Sequence, residues 1–248
     1  PGCIIATSIL TGKALAPFDH AVTIYKALLN AKKSYIRLAD NLKTFATQEA
    51  KLELPEPIGD VKLDKIFYKV PKTDQMIIKG INISIKAGEV VGIIGPSASG
   101  KTTLARLMTG VLPPSKGSVR LDGSDLRNQD SDKIGKYIGY LPQDIELFDG
   151  TIKENIARMN NKISAEDIIS AAKFASIHEV IIKLPKAYET NVINLSAGQK
   201  QRIGLARAFF GQPKFVVLDE PNSNLDNEGD NALMQTIINA RAAKITTI

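Results

Sequence analysis

Cysteine is almost absent from this sequence. The single one, Cys3, excludes an internal disulfide and any cysteine-cluster metal site, and such sparing use fits a reducing compartment. Long apolar runs are missing too. Residues 1–12 carry no charge but stop at Lys13, short of the ~20 apolar residues that a spanning helix needs. No basic segment precedes them, which argues against a secretory signal. They read either as a small buried segment or as the end of a membrane helix whose beginning lies upstream, and a start at Pro1 without Met points to the second. There is no arginine-rich run and no stripe of aromatics among basic residues, so the formal charge of +6 does not indicate nucleic acid. Internal repeats, low-complexity tracts and heptad arrays are lacking as well.

What is present is enough for a large core. The 248 residues, 44% of them hydrophobic, suit one large domain with an appendage. Charge is uneven: residues 1–51 hold seven Lys or Arg against three acids, which by default is a solvated helix face. Residues 17–50 predict a long helix, with Pro17 near its start and Ile24, Leu28, Ala31, Tyr35, Leu38, Leu42 and Phe45 at three- and four-residue steps. Leu54-Pro55-Glu56-Pro57-Ile58-Gly59 reads as a linker. Three parts follow: residues 1–16 as the end of a membrane helix, 17–58 as a cytoplasmic helix and linker, and 59–248 as the main domain, incomplete at its C-terminal end.

In the main domain, Val61/Leu63 and Ile66/Tyr68/Val70 predict a strand with a phase break. A second strand over Ile77–Ile85 pairs with it through the turn-prone Lys72-Thr73-Asp74. Asp122-Gly123 marks a hairpin after the strand at 118–121. Another strand lies within 134–141, and helical spacing runs from 151 to 184 with Ser164 as a cap. Helices are expected at 195–210 and 227–243, and a last strand begins at Ile245. The apolar runs 90–94 and 215–218 do not alternate, so they read as central parallel strands buried on both faces.

The first of those runs feeds Gly95-Pro96-Ser97-Ala98-Ser99-Gly100-Lys101-Thr102-Thr103, and a helix follows. This strand–loop–helix setting is what the Gly-x-x-x-x-Gly-Lys-[Ser/Thr] pattern needs to bind phosphate. Gly95 and Gly100 let the backbone turn so that successive N–H groups face one concavity, and the helix adds its positive end there. Lys101 is placed to reach the outer phosphates and the Thr102 hydroxyl to ligate Mg²⁺. The run 215–218 ends in Asp219-Glu220, and the carboxyl end of a buried strand is where open α/β sheets bind ligands. Asp219 suits the second shell of Mg²⁺ and Glu220 a general base on the attacking water. Leu195-Ser196-Ala197-Gly198-Gln199 precedes them; by itself it is a capping box, Ser196 being paired with Gln199.

Together these motifs resemble the ATP-binding-cassette ATPases, whose signature is usually Leu-Ser-Gly-Gly-Gln; Ala197 stands where glycine is commoner. The resemblance runs from about residue 60 to 248. It implies an α/β fold, with a RecA-like phosphate-loop core, an antiparallel β-layer near 60–90 and a helical subdomain near 151–205, preceded here by the cytoplasmic end of a transmembrane helix. It implies ATP and Mg²⁺, shared by a head-to-tail homodimer. Gly95 to Thr103 of one copy would face Ser196, Gly198 and Gln199 of the other, with Asp226 in the loop after the catalytic glutamate. Gln143 would meet Mg²⁺ and sense the membrane part. Tyr68 would stack on adenine, a contact typically worth ~1–3 kcal/mol per base.

Gly95-Pro96-Ser97, the stretch from Tyr140 to Ile152 and Glu220-Pro221-Asn222-Ser223-Asn224-Leu225-Asp226 are most similar to ATPases of type I secretion, particularly the protease-exporting kind. Such a resemblance implies a membrane domain in the same protein, a periplasmic membrane-fusion protein, an outer-membrane channel and a polypeptide cargo. It places the chain at a bacterial inner membrane, with the ATPase facing the cytoplasm. The sequence departs from the pattern twice. Where such proteins carry a Gly-Glu-x-Gly loop, only Asn191 to Asn194 stand before Leu195, through a shortened loop or through residues missing from it. The switch histidine belongs after the strand begun at Ile245, and His20 and His178 read as surface or packing residues. Rival readings fit less well. A GTPase needs Asn-Lys-x-Asp, and Asn161-Lys162-Ile163-Ser164 fails at its last position. A DNA-repair ATPase would insert long coiled coils. ATPases of other lipid or peptide exporters and of importers are the nearest alternatives, and the apolar stub with its following helix favours a fused exporter.

Overall fold

A computed structural model describes residues 2–46, 54–71, 73–160 and 162–248. The far end of the predicted long helix (47–50), Lys72 of the expected turn and Asn161 lie outside the described residues. The chain divides into two compact units, Pro1–Lys51 and Leu52–Ile248.

The first unit is one helix, α1 (Gly2–Ala46), with Pro17 in its interior rather than near its start. No break separates the uncharged stretch from the amphipathic one. Proline removes the bond its own N–H would give and crowds the carbonyl four residues before it; the helix nonetheless runs through Pro17, with the strong helix formers Ala14, Leu15 and Ala16 just before it. Thr7 and Thr11 turn their hydroxyls inward, donating to the carbonyls of Cys3 and Thr7 at 2.8 Å each. Ile4, Leu10, Phe18, Ile24, Leu28 and Tyr35 are all exposed. Among the described residues no helix is long and apolar enough to cross a membrane.

The second unit holds two sheets. The antiparallel one has the order β2-β1-β3-β4, from β1 (Val61–Lys69), β2 (Met76–Ile85), β3 (Lys116–Leu121) and β4 (Ser124–Asp125). The phase break is a register slip between Leu63 and Ile66. There Lys65 takes a left-handed φ of 46° and its N–H donates to Asn82 Oδ1 at 2.8 Å. Gly117 of β3 passes so close to this bulge that a Cβ would sit 2.3 Å from the Lys65 carbonyl oxygen. The parallel sheet has the order β5-β6-β7, from β5 (Ile138–Leu141), β6 (Phe215–Leu218) and β7 (Thr246–Thr247).

Period-two geometry divides β6 between two cores. Phe215 and Val217 meet Leu104, Ala105, Leu107 and Met108 of α2 (Lys101–Met108), together with Val61, Leu63, Val119 and Leu121 of the antiparallel layer. Val216 joins Leu141 and the buried residues of α4 (Ile152–Ile156), α5 (Ala165–Phe174), α6 (His178–Ile182), α7 (Ala197–Ala208) and α8 (Asn227–Ala242). Helix α2 thus has sheet residues on both sides, and β6 is buried on both faces as its unalternating pattern predicts.

One expected strand fails to form. The run 90–94 forms no buried strand: it makes a single parallel bridge, Val90 to Thr247, and Ile94 is 97% exposed. Its one ladder partner is the β7 segment, with Val91 N–H donating to the Thr247 carbonyl at 2.8 Å. Among the described residues nothing pairs with 92–94. Residues Ser131–Ile134 form a helical turn, α3, and the strand expected within 134–141 is β5, which ends at Leu141.

The expected linker is fixed rather than free. The Asp122 carboxylate accepts from the N–H groups of Ile58 (2.7 Å), Gly59 (3.3 Å) and Asp60 (2.9 Å), and Thr246 Oγ1 donates to the Gly59 carbonyl at 2.7 Å. Asp122 itself is left-handed at φ 50°, a conformation that Asn shares readily and Ala does not. Urea unfolding is therefore expected to rank Asp122→Ala below Asp122→Asn, with Ala costing about 1–3 kcal/mol for the unmet amides. Equal midpoints for the two variants would show that the strap adds nothing.

Candidate functional site

The glycine loop and the first turn of α2 form an anion cradle. Gly100 caps the helix in a left-handed conformation (φ 95°) and offers no side chain to the helix end. Ala98 is also left-handed, at φ 61°, and such alternation turns successive amides to one side. A Cβ on Gly100 would lie 2.9 Å from Ile77 Cγ2, so the antiparallel layer demands glycine there. Among the described residues the amides of Gly100, Lys101, Thr102 and Thr103 donate to no protein acceptor. They are the open donors that every helix start must place somewhere.

Lys101 lies across this loop, its Nζ donating to the carbonyls of Gly95 (2.9 Å) and Pro96 (3.1 Å). The same nitrogen is 4.0 Å from Glu220 Oε1. Glu220 takes φ 48°, left-handed and strained for a non-glycine residue, just past β6. Gln143, in the loop after β5, donates from Nε2 to Glu220 Oε2 at 2.8 Å. Strand pairing brings this about: Leu141 lies opposite Leu218 and its carbonyl accepts from Asp219 N–H at 2.9 Å. The two loops therefore leave the sheet together.

Asp219 is only 4% exposed, and its Oδ2 has no hydrogen-bond partner. Burial holds its carboxyl above the usual range and Glu220 adds to this, against the pull of Thr102, Arg106 and Lys101. A buried carboxylate oxygen left unmet beside a threonine hydroxyl fits a hard cation with oxygen ligands. Among the described residues no three His, Cys, Asp or Glu side chains form a cage by themselves. Mg²⁺ takes few protein ligands and completes its shell with phosphates and water.

The other expected residues sit apart. Ser196 caps α7 in the capping box expected of it: Gln199 N–H donates to Ser196 Oγ (3.2 Å) and Ser196 N–H to Gln199 Oε1 (3.0 Å). A Cβ on Gly198 would approach the Asn224 carbonyl to 3.0 Å. Asp226 caps α8, accepting from Gly229 N–H at 2.8 Å. Among the described residues no hydrogen bond or ion pair joins Ser196, Gly198, Gln199 or Asp226 to the stretch from Gly95 to Thr103. Tyr68 is half-buried against the core that also holds Ile77 and Ile78, the two side chains facing Gly100.

Some structural partners escaped the sequence reading. Gln201 is buried and donates to the Pro221 carbonyl at 3.0 Å, tying α7 to the residue after Glu220. Asn155, fully buried, accepts from Phe148 N–H and donates to the carbonyls of Phe148 and Thr151 at 2.8–3.0 Å, which sets the loop after Gln143. Both are lone polar residues in helical stretches, and their only sequence signal is a polar side chain on an apolar face. The short 191–194 segment is pinned to the start of α4, Ile152 N–H donating to the Thr190 carbonyl and Val192 N–H to that of Gly150, at 3.0 Å each.

Comparison with known proteins adds four findings. A family model described as ABC transporter matches residues 78–223. The type I secretion system ATP-binding protein PrsD of Rhizobium meliloti (strain 1021) is 46% identical over 98% of this chain and 42% of its own length. The leukotoxin translocation ATP-binding protein LktB of Mannheimia glucosida is 37% identical over 95% of this chain and 34% of its own. Among solved structures, a bacterial Atm1-family ABC exporter with ATP bound superposes with a TM-score of 0.71 at 29% identity, over 87% of this chain and 39% of that one. The chain thus spans less than half the length of the relatives it matches.

The buried Asp219 carboxylate gives this site a stability signature. A carboxyl whose folded-state value is raised binds its proton more tightly folded than unfolded, so stability falls as pH rises above the unfolded value of about 4. In ligand-free protein, Asp219→Asn is expected to raise stability at pH 7 by about 1 kcal/mol and to flatten the decline above pH 4. Denaturant midpoints across pH check this; a variant less stable than the parent at pH 7 contradicts it.

Proposed function

The chain belongs to the ABC transporter family, and on that footing we propose that it is the ATP-hydrolysing part of a type I secretion exporter that drives polypeptide export. The observation that carries this reading is the convergence of Lys101, Gln143 and Glu220 at the mouth of the glycine loop, with Asp219 buried beside them. The open amides at the start of α2 bind the triphosphate and hold it still. Lys101 leaves its loop carbonyls for the outer phosphates, and Tyr68 supports adenine. Thr102, with Asp219 and Gln143 around it, would hold Mg²⁺, which would supply positive charge against the phosphates. Glu220 orients the attacking water and accepts its proton. Gln143, hydrogen-bonded to Glu220, links that base to the loop set by Asn155.

The residues that sit apart complete the account in a dimer. The N-terminus of α7 is capped by a neutral side chain and keeps its dipole, so Ser196, Gly198 and Gln199 of one copy close over the phosphates held by the other. Gln201 couples that helix to Pro221, next to the base. Asp226 shapes the intervening loop by capping α8. A membrane domain in the same protein, a periplasmic membrane-fusion protein and an outer-membrane channel are the further partners, at a bacterial inner membrane with this domain on the cytoplasmic side. Type I secretion and leukotoxin translocation, for which the two relatives are named, support polypeptide cargo over the lipid and importer alternatives.

Replacement of Glu220 by Gln should leave nucleotide binding intact and slow phosphate release ~10²–10⁴-fold; unchanged turnover removes Glu220 from its role. Mixing Lys101→Ala chains with Ser196→Arg chains should restore one sound site per dimer, so activity should rise above that of either variant alone. A mixture no more active than its parts argues against a shared site.

A further inference from the structure

Asp219 Oδ2 is not the only buried oxygen without a partner near the cradle: the Tyr140 hydroxyl is another. The two are neighbours by register. Tyr140 lies opposite Val217 in the parallel ladder, and Asp219, two residues beyond Val217, returns to the same face of the sheet. That face looks onto α2, since Tyr140 and Val217 pack into the core that holds Leu104 and Met108. Thr102 and Arg106, one turn apart on α2, face this corner: Thr102 as a hydrogen-bonding neighbour of Asp219, and Arg106 as a cation that favours the charged forms of both Asp219 and Tyr140. A phenol has a proton to give and a carboxylate only lone pairs, so one water placed between such neighbours can bond to both. Burial keeps the phenol protonated, which is the donating form.

Building on the ATPase reading, we infer that Tyr140 is a positioning residue for Asp219. Its hydroxyl donates through a bridging water to Oδ2 and so holds the carboxylate toward Thr102 and the nucleotide's Mg²⁺. Tyr140 touches neither nucleotide nor metal itself. Its influence is confined to the metal-dependent share of binding, because Asp219 meets the nucleotide only through the metal.

The test is binding of a fluorescent ATP analogue to the full chain, with Mg²⁺ and with EDTA in its place. Tyr140→Phe removes one oxygen and keeps the ring that fills the core. It is expected to bind within ~2-fold of the parent in EDTA and ~5–10-fold more weakly in Mg²⁺, the effect of losing one ordinary hydrogen bond. Arg106→Gln, at an exposed side chain, is expected to show a smaller loss with the same metal restriction, and it keeps the question open to test should the phenylalanine variant fold poorly. Equal weakening with and without Mg²⁺ assigns Tyr140 to packing alone and overturns the inference; so does parent-like binding in both conditions. A parent that binds no ATP at all overturns the ATPase reading, whereas a binding parent with an indifferent Tyr140→Phe overturns this inference alone.

Discussion

Four consecutive backbone amides at the head of α2, from Gly100 to Thr103, find no acceptor within the protein among the described residues. A helix cannot avoid leaving such donors, but it can choose what faces them. Here the capping residue is a glycine without a side chain to fill the gap, and the Ile77 and Ile78 side chains keep that position small. The positive end of the helix dipole therefore stays open to an anion. Everything else in the second unit serves to bring charge chemistry to that opening.

The two sheets do this from opposite sides. The antiparallel layer supplies the wall that excludes a side chain at Gly100 and carries Tyr68. The parallel sheet delivers two loops side by side, after β5 and β6, and their register sets Gln143 against Glu220. The arrangement stores unfavourable features that stability alone would not select: a buried unmet carboxylate oxygen at Asp219, an unmet phenol at Tyr140 and a left-handed glutamate at 220. Their concentration at one corner is what a binding site shows before its ligand arrives. Signature helix α7 stands outside that corner, yet Gln201 connects it to the residue after the base. Closure by a second copy would reach the chemistry through that contact.

Local features were legible in the sequence, and those that depend on distant pairing were not. The glycine loop and the Ser196–Gln199 capping box are complete within a few residues, so spacing alone identifies them. The β1 bulge announced itself as a break in alternation. Pro17 misled because a proline rule is statistical, and here the helix runs through the residue. The 90–94 run misled because apolarity identifies a potential strand without counting its partners, and among the described residues only Val90 finds one. The linker composition of 54–59 gave no hint of the Asp122 strap. Tyr140 beside Asp219, and Gln201 beside Pro221, arise from tertiary pairing that no window of the sequence contains.

The central claim is that the amides at the head of α2 hold the triphosphate. Backbone amide resonances of an isotopically labelled chain, followed while Mg²⁺ and a non-hydrolysable ATP analogue are added, test it most directly. The account predicts that the amides of Gly95 and of Gly100 to Thr103 show the largest shifts in the second unit, moving in the direction of stronger hydrogen bonding. Saturating nucleotide that leaves those amides unmoved, or whose largest shifts fall elsewhere in the unit, would contradict it.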